Sequence, residues 1–152
     1  MASEKIDINE HPARKAARLE RTYVAQRRKE DWLSLWSENG IIRDPLGKSW
    51  IDPDGVGFST PEARSKWWDD YAPAETYFNL VASFAVADSV ATYVNIIVVG
   101  ECNGQKYSMK VDGVWTYSVD DQGKLTSMCG YFEEDAVRKS YTPLPDRQFY
   151  AE

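Results

Sequence analysis

Asp44 has the surroundings that most suggest chemistry. It closes a short extended run, Ile41-Ile42-Arg43-Asp44, in front of Pro45, and proline forces the residue before it out of the helical region. Side chains of a strand alternate between faces, so Asp44 shares a face with Ile42 while Arg43 points with Ile41. A carboxylate on an apolar face is disfavoured in its charged form, so its pKa rises. A general base working near neutral pH needs such a pKa. Asp-Pro is also a common turn opener, a reading that carries no chemistry. Other candidates are weaker. Asp112 falls on the polar face of a long strand with Ser108, Lys110 and Thr116, a solvated acid unless a bulge at Gly113 reverses the parity. Asn95 interrupts Tyr93, Ile97 and Val99 on one face; if buried it needs a partner, either a structural one or a substrate. Tyr23 lies on the apolar stripe of the first helix and could aim its hydroxyl inward or simply fill the core. Trp36, Trp68, Phe78 and Trp115 are candidate apolar walls of a binding cavity.

Several other chemistries lack parts. His11 is the only histidine and falls in an N-terminal stretch expected to be mobile, which argues against Ser-His-Asp or Cys-His nucleophiles. No GxGxxG or GxxxxGK[ST] occurs, so nothing points to a dinucleotide or a phosphate loop. Asp52-Pro53-Asp54-Gly55 lacks full EF-hand ligand spacing and reads as a surface loop. Cys102 and Cys129 are the only cysteines, without a CxxC, so no metal site is expected. With 18 Lys plus Arg against 24 Asp plus Glu, the net charge is −6, and the mean field should repel nucleic acid and anionic membranes. The basic residues between Arg14 and Lys29 read as a solvated helix face. No apolar run reaches the ~18–20 residues of a membrane span. The polar start, Met1-Ala2-Ser3-Glu4-Lys5, reads as no signal peptide; a reduced, cytoplasmic protein is expected.

The elements that must position Asp44 are legible as pattern. The length of 152 residues suits one domain. A first helix starts at Pro12 and carries Ala16, Leu19 and Tyr23 on one stripe. A second carries Trp32, Leu35 and Trp36, and Asn39-Gly40 is expected to end it with a left-handed cap. Leu46 to Ser59 reads as a loop. Thr60-Pro61-Glu62 opens a third helix with Arg64, Trp67, Trp68 and Tyr71 on one side, and Pro73 is expected to end it. Four strands follow, roughly Thr76 to Val86, Val90 to Cys102, Gln105 to Val119 and Lys124 to Phe132. Asn103-Gly104 is a strong hairpin signal. The class is α+β: a long antiparallel sheet, about four long strands plus one short, wrapped around three N-terminal helices. The core spans about 13–134, and 1–10 and 136–152 are peripheral tails.

The order of parts is familiar. Trp32-Leu33-Ser34-Leu35-Trp36-Ser37-Glu38-Asn39-Gly40 runs into Ile41-Ile42-Arg43-Asp44-Pro45-Leu46-Gly47; later come Val111-Asp112-Gly113-Val114-Trp115-Thr116-Tyr117, Gly123-Lys124-Leu125 and Gly130-Tyr131-Phe132-Glu133. This resembles the nuclear-transport-factor-2-like superfamily, in its ketosteroid isomerase and SnoaL-like polyketide cyclase branch, over roughly Ala13 to Glu134. The resemblance implies a cone-shaped barrel with a deep apolar pocket, a homodimer packed through its sheets, and no metal or organic cofactor. In ketosteroid isomerases the aspartate of the Asp-Pro segment is the general base, a role that carries to Asp44; a tyrosine and a protonated aspartate stabilise the oxyanion. Counted back from Asp44, the family's tyrosine falls on Glu20, with Tyr23 nearly one turn further along. Counted back from Gly123, the protonated acid falls on Trp115 or, with a longer hairpin, on Gly113, with Asp112 between.

These readings lead to a cofactor-independent isomerase, with Asp44 removing a proton next to a carbonyl of a hydrophobic, steroid-like small molecule. Tyr23 and Asp112 are the other expected catalytic groups, Asn95 a further donor, and Trp36, Trp68, Phe78 and Trp115 the walls. The alternatives are a SnoaL-like cyclase, dehydratase or epoxide hydrolase in the same pocket, or a binding and dimerisation module without catalysis. The loop from Lys48 to Phe58 could act as a lid.

Overall fold

A computed structural model describes residues 9–72 and 74–145; the expected stop at Pro73 and the residues beyond 145 lie outside it. Helix α1 (Pro12–Ala25) is capped by His11, whose Nδ1 accepts a hydrogen bond from the Ala13 N–H. The His11 Nε2 meets the Ala87 carbonyl oxygen at 2.8 Å, so this histidine is fixed in place rather than mobile. The buried stripe of α1 is Ala13, Ala16, Ala17, Glu20 and Val24, which leaves Leu19 and Tyr23 at its edge. Helix α2 (Lys29–Ser34) is short, and strand β1 (Trp36–Arg43) follows directly. Helix α3 (Pro61–Tyr71) has the Thr60 hydroxyl cap that its sequence signals.

The remaining strands are β2 (Glu75–Val86), β3 (Ser89–Cys102), β4 (Gln105–Val119) and β5 (Leu125–Tyr131), with a two-residue β6 (Thr142–Pro143). They form one curved sheet in the order β1-β5-β4-β3-β2, and β6 pairs with β4. The meander from β2 to β5 is antiparallel, whereas β1 runs parallel to β5, with Arg43 opposite Cys129. On β3 and β4 the even residues Val90, Thr92 and Val94 and the odd residues Trp115, Tyr117 and Val119 are buried against the helices. Gly113 introduces no bulge; the β3–β4 register is unbroken from end to end. A register shift between Leu80 and Ala82 on β2 does reverse its parity, so Tyr77 faces out before it and Phe84 after it. Residues 136–145, expected as a peripheral tail, include most of helix α4 (Glu134–Lys139), which buries Val137 against the core.

The expectation that Asn39-Gly40 caps a helix is corrected. Trp36 to Gly40 belong to β1, and the register shifts between Trp36 and Ile41. This irregular stretch is held by buried Arg64 of α3, whose guanidinium donates to the carbonyl oxygens of Ser37, Glu38 and Gly40 at 3.0, 3.2 and 2.6 Å. Trp36 packs into an aromatic cluster with Trp32 at 5.5 Å between ring centroids, and Trp68 sits 5.1 Å from Trp32. Gly40 is needed for close approach: a Cβ there would stand 2.7 Å from the Trp36 ring and 2.8 Å from the Leu125 carbonyl oxygen. Gly40→Ala is therefore expected to cost about 1–3 kcal/mol, as overpacking does, read as a lowered denaturation midpoint at unchanged m-value.

Candidate active site

Three elements converge on Asp44. Strand β1 ends one residue before it, with Ile42 fully buried and paired to Phe58 through both backbone hydrogen bonds. Strand β5 lies alongside, and its Gly130 carbonyl accepts the Leu46 N–H at 2.9 Å, which fixes the chain just past Pro45. Strand β4 supplies buried Trp115, whose indole Nε1–H donates to Asp44 Oδ1 at 2.9 Å. Among the described residues no other hydrogen bond to this carboxylate is made. Gly130 makes the pairing possible: a Cβ on it would lie 2.5 Å from Asp44 Oδ1 and 2.8 Å from Trp115 Nε1.

Asp44 faces a cavity of about 200 Å³ between the concave side of the sheet and the helices. The walls are mainly apolar: Phe78 from β2, Val94 and Ile96 from β3, Val111 and Trp115 from β4, and Phe132, whose ring stacks on Trp115 at 5.7 Å. Trp50 and Ile51 of the long loop close one side. Trp50 is tied to α4, its N–H donating to Glu134 Oε2 at 3.2 Å and its ring lying 5.1 Å from the Arg138 guanidinium carbon. A larger polar groove of about 900 Å³ beside Lys15, Asp88 and Asp120 contains neither Asp44 nor Glu20 and so lacks the buried acids that make the smaller cavity chemically distinctive.

Besides its apolar walls the cavity is lined by Asp44, Glu20, Arg21, Tyr71, Thr76 and Tyr117. Desolvation pushes the Asp44 carboxyl up to about 6, against the opposing pull of the Trp115 hydrogen bond. Desolvation also pushes Glu20 up to about 7; Arg21 opposes this and the Asp44 charge adds to it. Burial, together with the negative charge of Glu20, drives the Tyr117 hydroxyl well above its ordinary value, so it stays neutral. Among the described residues no group of three or more His, Cys, Asp or Glu is placed to hold a metal ion.

The structure brings together only part of the set singled out in the sequence. Asp44, Phe78 and Trp115 line the cavity. Trp115 meets Asp44 as a hydrogen-bond donor as well as a wall. Tyr23 is outside it, at the edge of α1, with the Arg28 guanidinium carbon 4.8 Å from its ring. Trp36 and Trp68 are taken up by the cluster around Trp32, whereas Trp67 of α3 both stacks on Trp32 at 5.5 Å and reaches the cavity. Asp112 and Asn95 stand on the outer face because the β4 parity holds. There they form a ladder, Asn79 Nδ2–H donating to Asn95 Oδ1 at 3.4 Å and Asn95 Nδ2–H to Asp112 Oδ1 at 3.0 Å. The buried position of Glu20 was readable in the helical spacing of Ala16, Glu20 and Val24. That of Gly130 had no signal in the sequence, since it depends on a parallel strand pairing.

No protein-family model matches the sequence, and no curated protein matches it. Solved structures do. RV0760c from Mycobacterium tuberculosis superimposes with a TM-score of 0.77 at 28% identity, over 91% of this chain and 100% of that one. A Δ5-3-ketosteroid isomerase from Mycobacterium sp. gives the same TM-score of 0.77 at 26% identity, over 89% and 100%. The chain has the nuclear-transport-factor-2-like fold. A computationally designed 17-OHP binder shares this nuclear-transport-factor-2-like fold at TM-score 0.77 and 27% identity, over 90% and 100%. The epoxide hydrolase/cyclase-like enzyme SalBIII shares it at 17% identity and TM-score 0.70. Within this fold, Gly130→Ala is expected to separate Asp44 from Trp115 without unfolding the chain, because the new methyl meets two side-chain ends rather than backbone. The Trp115 indole N–H resonance reports the broken bond in an NMR spectrum.

Proposed function

We propose that the chain is a cofactor-independent acid–base isomerase of hydrophobic, steroid-like carbonyl compounds, with Asp44 as the base. One observation carries the reading: a carboxylate anchored through one oxygen by Trp115 and facing an apolar cavity, with a pKa of about 6. Such a group is ionised at neutral pH yet poorly solvated, and a base is most effective when its pKa lies near the working pH. The ionised carboxylate takes a proton from the carbon next to the carbonyl. The C–H electron pair moves into a new C=C bond, and the carbonyl oxygen becomes an enol or enolate. Protonated Asp44 then returns the proton to a different carbon, so the product is an isomer and the base is regenerated. The RV0760c structure in complex with estradiol-17beta-hemisuccinate supports a steroid-sized ligand.

The cavity of about 200 Å³ is smaller than the ~300–1,000 Å³ common for drug-sized ligands. The 46–58 loop would therefore act as a lid, with Trp50 leaving its seat on α4 to admit a steroid. The outer face of the sheet exposes large apolar residues, with Phe84 at 74% and Tyr77 at 57% accessibility, more than scattered surface side chains require. We infer a homodimer through this face. Sedimentation should give twice the chain mass for the wild type, and a Phe84→Lys, Val114→Lys variant should sediment as a monomer; a monomeric wild type removes this part.

Asp44→Asn keeps the shape of the side chain and removes the base. Conversion of a Δ5-3-ketosteroid to its conjugated enone, followed by ultraviolet absorbance, is expected to fall about 10²–10⁴-fold, while steroid affinity changes little. Because the active form is the ionised one, the wild-type rate should rise with pH through about 6. An equally active Asn variant would end the proposal.

A further inference from the structure

Asp44 can take a proton, but the oxygen that gains electron density needs a donor facing it. We propose that Glu20 supplies it: its neutral carboxyl group, carried into the cavity wall by α1, donates a hydrogen bond to the ligand's carbonyl oxygen and makes the site selective for ligands whose key oxygen accepts. This rests on the acid–base reading above and goes beyond it.

Geometry supports the assignment first. Glu20 is 4% accessible, lies on the buried stripe of α1, and lines the same cavity as Asp44. A buried carboxyl group whose desolvation outweighs its charge compensation keeps its proton, and a neutral carboxyl is a donor where a carboxylate is only an acceptor. The groups around it come from every packed element. Arg21 is its neighbour on α1, Asp44 follows β1, Tyr117 comes from β4 and the Trp32 ring from α2, while Tyr71 of α3 lines the cavity. Arg21 and the Trp32 indole favour the ionised form; desolvation and the Asp44 charge outweigh them. Two carboxyl groups lining one apolar cavity, the charge of Asp44 being felt at Glu20, resist double ionisation. Asp44 has the Trp115 hydrogen bond to hold its charge, so the first proton leaves Asp44 and the remaining one stays on Glu20. As a coupled pair they titrate with apparent values near 6 and 7, and the state with ionised Asp44 and neutral Glu20 peaks between them.

The competing hydroxyl donors in the cavity, Tyr117, Tyr71 and Thr76, stay neutral across this range and so give no pH dependence. The test uses 4-androstene-3,17-dione, an uncharged steroid whose oxygens only accept, with binding read by quenching of tryptophan fluorescence. It is run in the Asp44→Asn background, where residue 44 does not titrate. Affinity should fall at least about fivefold between about pH 5 and pH 8, as Glu20 ionises at a lower pH than in the wild type because the Asp44 charge that raises it is gone. In the same background Glu20→Gln, a neutral donor of the same shape, should hold affinity within about twofold over that range. Glu20→Leu should be at least about fivefold weaker at about pH 5. Unchanged pH dependence in the Gln variant, full affinity in the Leu variant, or no binding by any form overturns the proposal. Turnover separates the two claims. With Asp44 intact, Glu20→Gln should lose the decline in rate above about pH 7 and keep the rise through about 6. A fully active Asp44→Asn enzyme would sink the base and leave the binding titration to judge Glu20 alone.

Discussion

An ionisable oxygen surrounded by hydrocarbon holds on to its proton, and the architecture around Asp44 imposes that cost and offsets part of it. Water would solvate the carboxylate and return it to ordinary behaviour. Here the concave sheet, α1, α3, α4 and the 46–58 loop exclude most of it, and one indole N–H replaces it on one side. A single donor is a measured compensation. More donors would hold the charge so firmly that the group lost its basicity; none would leave it protonated.

That balance depends on features remote from the cavity. Arg64 is buried in order to satisfy three carbonyl oxygens of an irregular strand, so α3 and β1 are fastened together before Asp44 is reached. The tryptophan cluster around Trp32 fills the space under that joint. These residues set where the chain emerges at Pro45, and they are structural for that reason, although their aromatic character suggested ligand contact.

Much of this was visible in the chain itself. Runs of β-branched and aromatic residues between turn signals marked β2 to β5 nearly to the residue, although the shift that reverses the parity of β2 left no mark in them. The Thr60-Pro61-Glu62 start of α3 is local chemistry and reads directly. Placing Asp44 on the side of Ile42 needed only strand parity. Tertiary pairing was not readable. Asn39-Gly40 looks like a helix stop because glycine serves both a positive backbone angle and a close approach, and only the packed Leu125 and Trp36 show which applies. Strand parity already put Asp112 on the polar face, and Asn95 needed a partner that could be structural or a ligand. What no local pattern encodes is the partner: the cross-strand register sets Asn79, Asn95 and Asp112 side by side as a ladder on the outer face. Trp67 and Trp68 differ by one helical step, and a sequence cannot say which of two adjacent tryptophans a cavity will claim.

The parallel pairing of β1 with β5 has a kinetic side. Arg43 finds its partner Cys129 only after most of the chain has been made, whereas the antiparallel meander grows by neighbouring hairpins. Long-range pairings of this kind pay their loop-closure entropy late and slow the search. The strand leading to Asp44 should then dock among the last events of folding, so a nascent or truncated chain that stops short of β5 would have a sheet and no walled carboxylate.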